Sequence, residues 1–313
     1  MKILEILEKL RQKSQADKEP FKARAYATVI KNLKASDKEV TKIEDIKDIK
    51  GIGKSIYDKI QEILNTGELK QVEKYNEEIE AINNLLKVHG IGPVKAKELV
   101  EKNNIKTVEA LKEHKELLND KQLIGLKYVD DINMRIERKE MDKHNAYLIK
   151  QIHEIDPKLK IQVVGSYRRG AKDSGDIDVI VTHEDNPDNY DHVIKDVVAK
   201  LREDKYLHDD LALGAHKYLG VCKLKRHKHY RRIDILYATK EVWPFSVMYF
   251  TGSADFNIIV RKVALEKGLS MSEYGFKKDN ELVNFSLYTE EDIFKYLGLE
   301  YVPPEKRSGS YKF

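Results

Sequence analysis

The sequence predicts an α+β protein, with a helical amino-terminal region followed by a mixed sheet and its packing helices. Three observations lead there. Apolar residues recur at three- and four-residue spacing in "ILEILEKL" (3–10) and "SIYDKIQEIL" (55–64), a texture that runs to about residue 135. From about residue 160, short runs rich in β-branched and aromatic residues take over: "IQVVGSY", "IDVIVTH", "YLGVCKL" and "RRIDILYA". A motif is also repeated: "DIKGIGKSIYDKIQEIL" (48–64) and "VHGIGPVKAKELVEK" (88–102) share Gly-Ile-Gly ahead of a helix with apolar residues in register. Beyond Tyr237 the pattern gives a helix in "SADFNIIVRKVALEKG", short strands, a Thr-capped helix in "TEEDIFKYLG" and a polar tail whose Pro pair stops regular structure.

The 313 residues allow two or three domains, and 41% hydrophobic with 35% charged residues describes a globular chain with a charged surface. No run approaches the roughly 18–20 apolar residues of a membrane span, and charges throughout "MKILEILEKLRQK" argue against a signal peptide. A single cysteine, Cys222, excludes an internal disulfide and a multi-cysteine zinc site, and an intracellular setting is expected. The net charge of +4 suits nucleic acid without demanding it.

Gly51-Ile52-Gly53 and Gly90-Ile91-Gly92 each form a hairpin between helices. Glycine permits positive φ and leaves no side chain before the helix N-terminus, where amide N–H groups can hold a phosphate without reading a base. The central Ile packs inward, while Lys54, Lys95 and Lys97 add screened attraction. One copy alone would be an ordinary tight connection. Two copies indicate paired helix-hairpin-helix motifs, binders of the DNA backbone.

In "GSYRRGAKDSGDIDVIV" (165–181), Asp176, Asp178 and Ile180 fall on one face of a strand, and Ile177, Val179 and Val181 on the other. Two carboxylates one pleat apart repel and lose hydration, costs that a hard divalent cation relieves. Asp234 in "RRIDILYA" is a third acid on a strand. Three such aspartates suit two Mg²⁺ ions, with Mn²⁺ as a substitute, and phosphoryl transfer. Ser166 offers a hydroxyl, the turn its N–H groups and Arg169 a fork for phosphate oxygens. The plain alternative is an edge strand whose surface aspartates pair with Arg168 and Arg169.

These residues resemble the family X DNA polymerases of the beta type. The likeness runs through both hairpins, "IGLKYVDD", "GSYRRGAKDSGDIDV", "RRIDI", "YFTGSADFN" and "ALEKGLSMSEY". It implies that Asp176 and Asp178 bind both metals, and that Asp234 binds the catalytic one and helps activate the primer 3′-hydroxyl. It implies triphosphate contacts from Ser166, Arg169, Gly175 and Arg138, and a steric gate for the sugar at Tyr249, Phe250, Thr251 and Gly252. Asn257 would contact the incoming base, Arg261 the template, and Glu273 and Tyr274 would assist closure on DNA. The carbonyls of Ile49, Ile52, Val88 and Ile91 would hold Na⁺ or K⁺ beside the backbone, and the basic run ending in Arg232 would lie near DNA. Ala254 and Leu236 stand where the family has an aspartate and an arginine.

The family also implies a 5′-deoxyribose-phosphate lyase, with Lys59 forming a Schiff base and Asp58 beside it. Helical spacing puts Ser55 on the face of Lys59. Ser55 and Gln71 replace supporting lysines of the family, and Lys22, Arg24 and Lys54 are candidates for a 5′-phosphate pocket. His227 and His229 are expected in a solvated basic hairpin, and Cys222 in the core.

The expected organisation is a helical lyase-like domain at 1–77, a duplex-binding helical subdomain at 78–135, a nucleotidyltransferase palm at 136–237 and a nascent-base-pair-binding subdomain at 238–313. The expected partners of this monomer are gapped or nicked DNA, dNTPs and other base-excision-repair proteins, with no membrane. A template-independent tailing enzyme and a non-catalytic gap-binding scaffold are the rival readings.

Overall fold

A computed structural model describes residues 2–17, 19–36, 40–185, 192–279, 281–283, 287–307 and 311, without the side chains of Ala16, Gln71 and Tyr75. The substitution noted at Gln71 therefore lies outside the described side chains. The chain divides into two compact units, Met1–Lys115 and Glu116–Phe313.

The first unit is helical: α1 (Lys2–Ala16), α2 (Pro20–Ala35), α3 (Lys54–Thr66), α4 (Lys70–Leu85), α5 (Pro93–Asn103) and α6 (Val108–Lys112). The apolar stripes of α1, α2 and α3 meet in one core through Leu7, Leu10, Val29, Leu33, Ile56, Ile60 and Ile63. The 3.6-residue period forces this, since each helix is apolar on one face only.

The second unit opens with α7 (Asp120–Lys127), α8 (Val129–Ile132) and β1 (Ile136–Glu137), followed by α9 (Arg138–Ile155) and β2 (Leu159–Val163). Next come α10 (Gly165–Arg168), β3 (Asp173–Ser174), β4 (Ile177–His183), α11 (Val193–Glu203), β5 (Leu207–Leu213), β6 (Lys217–Cys222) and β7 (Arg231–Tyr237). The main sheet runs in the order β2-β4-β7-β6-β5. β4 and β7 are parallel, and the other neighbours are antiparallel. Ile177, Val179, Val181, Ile233 and Ile235 face a core built with Leu148 and Ile152 of α9 and Val197 and Leu201 of α11. Cys222 is fully buried there, which pushes its thiol up to about 12.

β5, "LHDDLAL", has no clean apolar alternation and was not among the expected strands. Its acids find local partners. Asp209 accepts from Lys127 Nζ at 2.7 Å and from the Tyr128 hydroxyl, and Asp210 accepts from Tyr218 at 2.9 Å and pairs with Arg202. The β5–β6 register slips twice, between Leu207 and Asp209 and between Asp210 and Ala212.

The chain closes with α12 (Trp243–Thr251), α13 (Ala254–Glu266), β8 (Ser270–Ser272), β9 (Gly275–Lys278), β10 (Glu281–Leu282) and α14 (Glu290–Tyr296). Phe256, Val260, Phe276, Phe294 and Val302 form their core. The α+β class is as expected, with one sheet carrying the acids and a helical amino-terminal unit.

Arg231 of β7 is buried and grips Glu140 of α9 with both prongs, at 2.8 and 2.9 Å. Burial alone would raise the Glu140 carboxyl, but His144 and Arg231 outweigh it and hold it down at about 2. A folded value below the unfolded one means that the stabilisation is complete above about pH 4.5 and is lost as pH falls through about 2. Glu140→Gln is therefore expected to be less stable than the parent at pH 7 and to show a flatter loss of stability between these values. Denaturant unfolding across that range measures it.

Candidate active site

A cleft of about 610 Å³ opens beside β4. Gly165 and Ser166 reach it from α10 and Arg169 from the residue after it, Gly175 and Asp176 from the approach to β4 and Asp178 from β4 itself. Tyr249, Phe250 and Gly252 reach it from the end of α12, and Asn257 and Arg261 from α13. Of these eleven residues, scattered over nearly a hundred positions, all but Gly165 were expected at the site. Arg135 and Ile258 line it too and were not.

Asp178 sits in register with Asp234 across the parallel pair β4–β7, so both carboxylates leave the sheet on one face. Burial, then the charge of Asp234, push Asp178 up to about 6, against the opposing charges of Lys217 and Arg169. Gly165 has a φ of +60°, and a Cβ there would lie 2.5 Å from Asp178 Oδ2. Asp176 precedes the strand and forms an ion pair with Arg232, whose Nε is also 3.8 Å from Asp234. Among the described residues no three metal-binding side chains already converge on one point. The two crowded carboxylates on one face nonetheless fit a divalent cation, provided that Asp176 exchanges Arg232 for it.

β4 lies between β2 and β7, so the edge-strand alternative fails. Nor do the two arginines serve as surface partners for the aspartates. Arg169 donates to the carbonyl of Thr251 at 2.5 Å. Arg168 donates to the Thr251 hydroxyl at 2.8 Å and to Glu290 at 3.1 and 2.5 Å. Glu290 also accepts from Arg307 at 2.6 Å, and Arg307 is fully buried although the tail had read as merely polar. Asn257 Nδ2 donates to the Tyr249 carbonyl at 2.7 Å. The turn at 249–252 is thus held by its side chain and its main chain at once.

The Gly-Ile-Gly hairpins share one backbone conformation. Gly51 and Gly90 have φ of +93° and +87°, and Gly53 and Gly92 cap α3 and α5 at φ −83° and −89°. A Cβ at Gly53 or Gly92 would meet nothing within 4 Å, so each helix N-terminus stands open. Val88 O accepts from Ile91 N at 3.0 Å, which leaves that carbonyl one lone pair for a cation.

Family profiles cover nearly the whole chain. A helix-hairpin-helix domain matches residues 1–69 and the fingers domain of DNA polymerase lambda matches 83–133. The DNA polymerase beta palm matches 135–240 and the DNA polymerase beta thumb 246–308. The chain belongs to the family X DNA polymerases. DNA polymerase lambda of Arabidopsis thaliana is 30% identical over 98% of this chain and 61% of its own length. DNA polymerase lambda of Rattus norvegicus is 30% identical over 97% and 56%. The DNA polymerase/3′-5′ exonuclease PolX of Bacillus subtilis (strain 168) is 27% identical over 92% and 51%. The chain thus spans about half to three-fifths of the length of these relatives. Family X polymerases are metal-dependent, in keeping with the acidic face of the sheet.

One expected triphosphate contact lies outside the cleft lining. Arg138 stacks on the Tyr167 ring at 4.0 Å and donates to the Tyr167 carbonyl at 2.6 Å, away from the cleft lining. Arg135 lines the cleft instead, with its guanidinium beside Gly175 and paired to Asp173 at 2.7 Å. The short pairing of Ile136 with Ser174 carries it there. Tyr274 is 59% exposed, in the turn between β8 and β9 with Glu273, outside the cleft lining. His229 bonds Asp131 at 2.8 Å.

A second cleft, of about 530 Å³ in the helical unit, gathers Lys13, Lys22, Lys54, Ser55 and Lys59. Lys59 donates to Ser55 Oγ at 2.8 Å, as the helical spacing requires. Of the candidates for a 5′-phosphate pocket, Lys22 and Lys54 share this cleft, and Arg24 does not, lining a separate groove with Arg11. Lys97 is tied to Asp17 at 2.7 Å, so its charge is engaged within the unit.

Glu290→Ala would leave Arg307 and Arg168 without their shared carboxylate and is expected to cost about 3–5 kcal/mol. Thr251→Val removes one hydroxyl and is expected to cost about 1 kcal/mol. Denaturant midpoints of the two variants check this order.

Proposed function

We propose that the chain is a template-directed DNA polymerase that fills short gaps, adding a dNTP to a primer 3′-hydroxyl, with a 5′-deoxyribose-phosphate lyase in its helical unit. The observation that carries the first activity is the meeting of the Ser166–Arg169 turn, the Asp176–Asp178 pair and the Tyr249–Gly252 turn around one cleft. The proposed domains are 1–77, 78–135, 136–237 and 238–313.

Asp176, Asp178 and Asp234 would hold two Mg²⁺ ions, which when bound offset charge on the transferring phosphoryl group. The Ser166 hydroxyl, the N–H groups of α10 and the Arg135 and Arg169 guanidiniums would bind the triphosphate oxygens. The backbone at Tyr249–Gly252, fixed by Arg168, Arg169 and Asn257, would crowd the sugar 2′ position and favour deoxyribose. Asn257 would contact the base and Arg261 the template. Gly53 and Gly92 would let DNA phosphates reach the N-termini of α3 and α5, with a monovalent cation on the carbonyls of Ile49, Ile52, Val88 and Ile91. In the lyase, Lys59 would attack the sugar aldehyde while Lys22 and Lys54 hold the 5′-phosphate.

A single-nucleotide gap with a 5′-phosphate, Mg²⁺ and all four dNTPs tests the polymerase. Templated addition is expected, with a loss of about a thousand-fold or more in Asp178→Ala. Addition without a template would establish the tailing activity instead, and tight gap binding without incorporation a scaffold. Gly53→Ala is expected to keep the parental melting temperature and weaken DNA binding, measured by titration of labelled gapped duplex. Gly51→Ala, at φ +93° and with Thr28 Cγ2 3.2 Å from the new Cβ, is expected to lower the melting temperature.

A further inference from the structure

The lysine-rich cleft of the helical unit also contains a carboxylate suited to the slow half of lyase chemistry. We propose that Asp17 is the base that takes the C2′ proton during β-elimination, acting on the sugar that Lys59 holds as an imine. This rests on the lyase reading above.

Asp17 directly follows α1, and its N–H donates to the Lys13 carbonyl at 2.8 Å, so the helix end fixes its backbone. α1 packs against α3, and Asp17, Ser55 and Lys59 line the same cleft. Among the described residues two carboxylates line it, Asp17 and Glu19. Glu19 is the more exposed, at 41%, and is paired to Lys22 at 2.6 Å. Asp17 is 27% exposed. Asp58 adjoins Lys59 in sequence but is absent from the lining, because one residue turns a helix by about 100°. Sequence adjacency therefore does not supply the base.

The Asp17 carboxylate lies 2.7 Å from Lys97 Nζ and 3.3 Å from Lys13 Nζ. Burial favours its neutral form, but hydrogen bonds from these two ammoniums outweigh it and keep the group below the usual carboxylate range. It is thus ionised and able to accept a proton at neutral pH. A weak base suffices, since a protonated imine acidifies the neighbouring C–H bonds.

The neutral amine of Lys59 adds to C1′ of the ring-opened sugar, and the resulting hydroxyl takes a proton from solvent and leaves as water, which gives the protonated imine. Asp17 takes one C2′ hydrogen as a proton. The electron pair of that C–H bond forms the C2′=C3′ bond, the C3′–O bond breaks, and the leaving phosphate departs with its electron pair. Water hydrolyses the imine and returns Lys59, and solvent removes the proton from Asp17.

The full chain on a nicked duplex with a 5′-deoxyribose phosphate gives two readouts: borohydride trapping of the imine, and single-turnover release of the sugar without borohydride. Asp17→Asn keeps the size of the side chain and an acceptor for Lys97. It is expected to trap within about twofold of the parent and to release about 100-fold more slowly. Asp17→Glu, which restores a base, is expected to release within about tenfold of the parent. Release at the parental rate in Asp17→Asn, loss of trapping together with release, or an Asp17→Glu as slow as Asp17→Asn each overturns the assignment. A parent chain that forms no adduct overturns the lyase reading and, with it, the role of Asp17.

Discussion

Asp178 and Asp234 stand side by side on β4 and β7, and placing two carboxylates there constrains what surrounds them. Their strands contribute Ile177, Val179, Ile233 and Ile235 to the opposite face, where α9 and α11 close the core. That burial holds both strands in place against the repulsion between the acids. Gly165 stands where any Cβ would collide with Asp178, and Arg169 and Lys217 supply opposing charge. The site is therefore poised for added positive charge, and Arg232 supplies part of it by pairing with Asp176.

The turn that forms the wall of this cleft is positioned by the end of α10. Arg168 and Arg169 are consecutive, yet one holds the side chain of Thr251 and the other its carbonyl. Through Glu290 the first extends to Arg307, so a residue near the end of the chain helps set the turn beside the aspartates. A buried arginine, Arg307, and a partly buried one, Arg168, share one carboxylate, and its removal would leave their charges poorly solvated and without it.

Much of this was legible in the sequence where one physical rule acted alone. Asp-Ile-Asp inside an apolar run marks a charged face on a buried strand, and duplicated Gly-Ile-Gly marks two alike hairpins. Legibility failed where long-range pairing decided the outcome. "MRIERK" offers Arg135 and Arg138 about one turn apart, and spacing cannot choose between them. The two-residue pairing of β1 with β3 does, and it leaves little trace in composition. β5 was hidden because Asp209 and Asp210 interrupt its alternation, and the partners that satisfy them come from α7, Tyr128, α11 and β6. The burial of Arg307 was hidden likewise, since Glu290 lies 17 residues away.

The irregular β5 has a consequence for how the protein behaves at high concentration. An outermost strand exposes unpaired amide and carbonyl groups that can recruit a strand from another molecule. Here that strand slips register twice, carries two adjacent acids and has α7 fastened along it through Lys127 and Asp209. Each feature makes it a poor template for further pairing. The sheet is blunted on this side, which guards the folded chain against growing into strand-linked aggregates while its other face keeps the acids accessible.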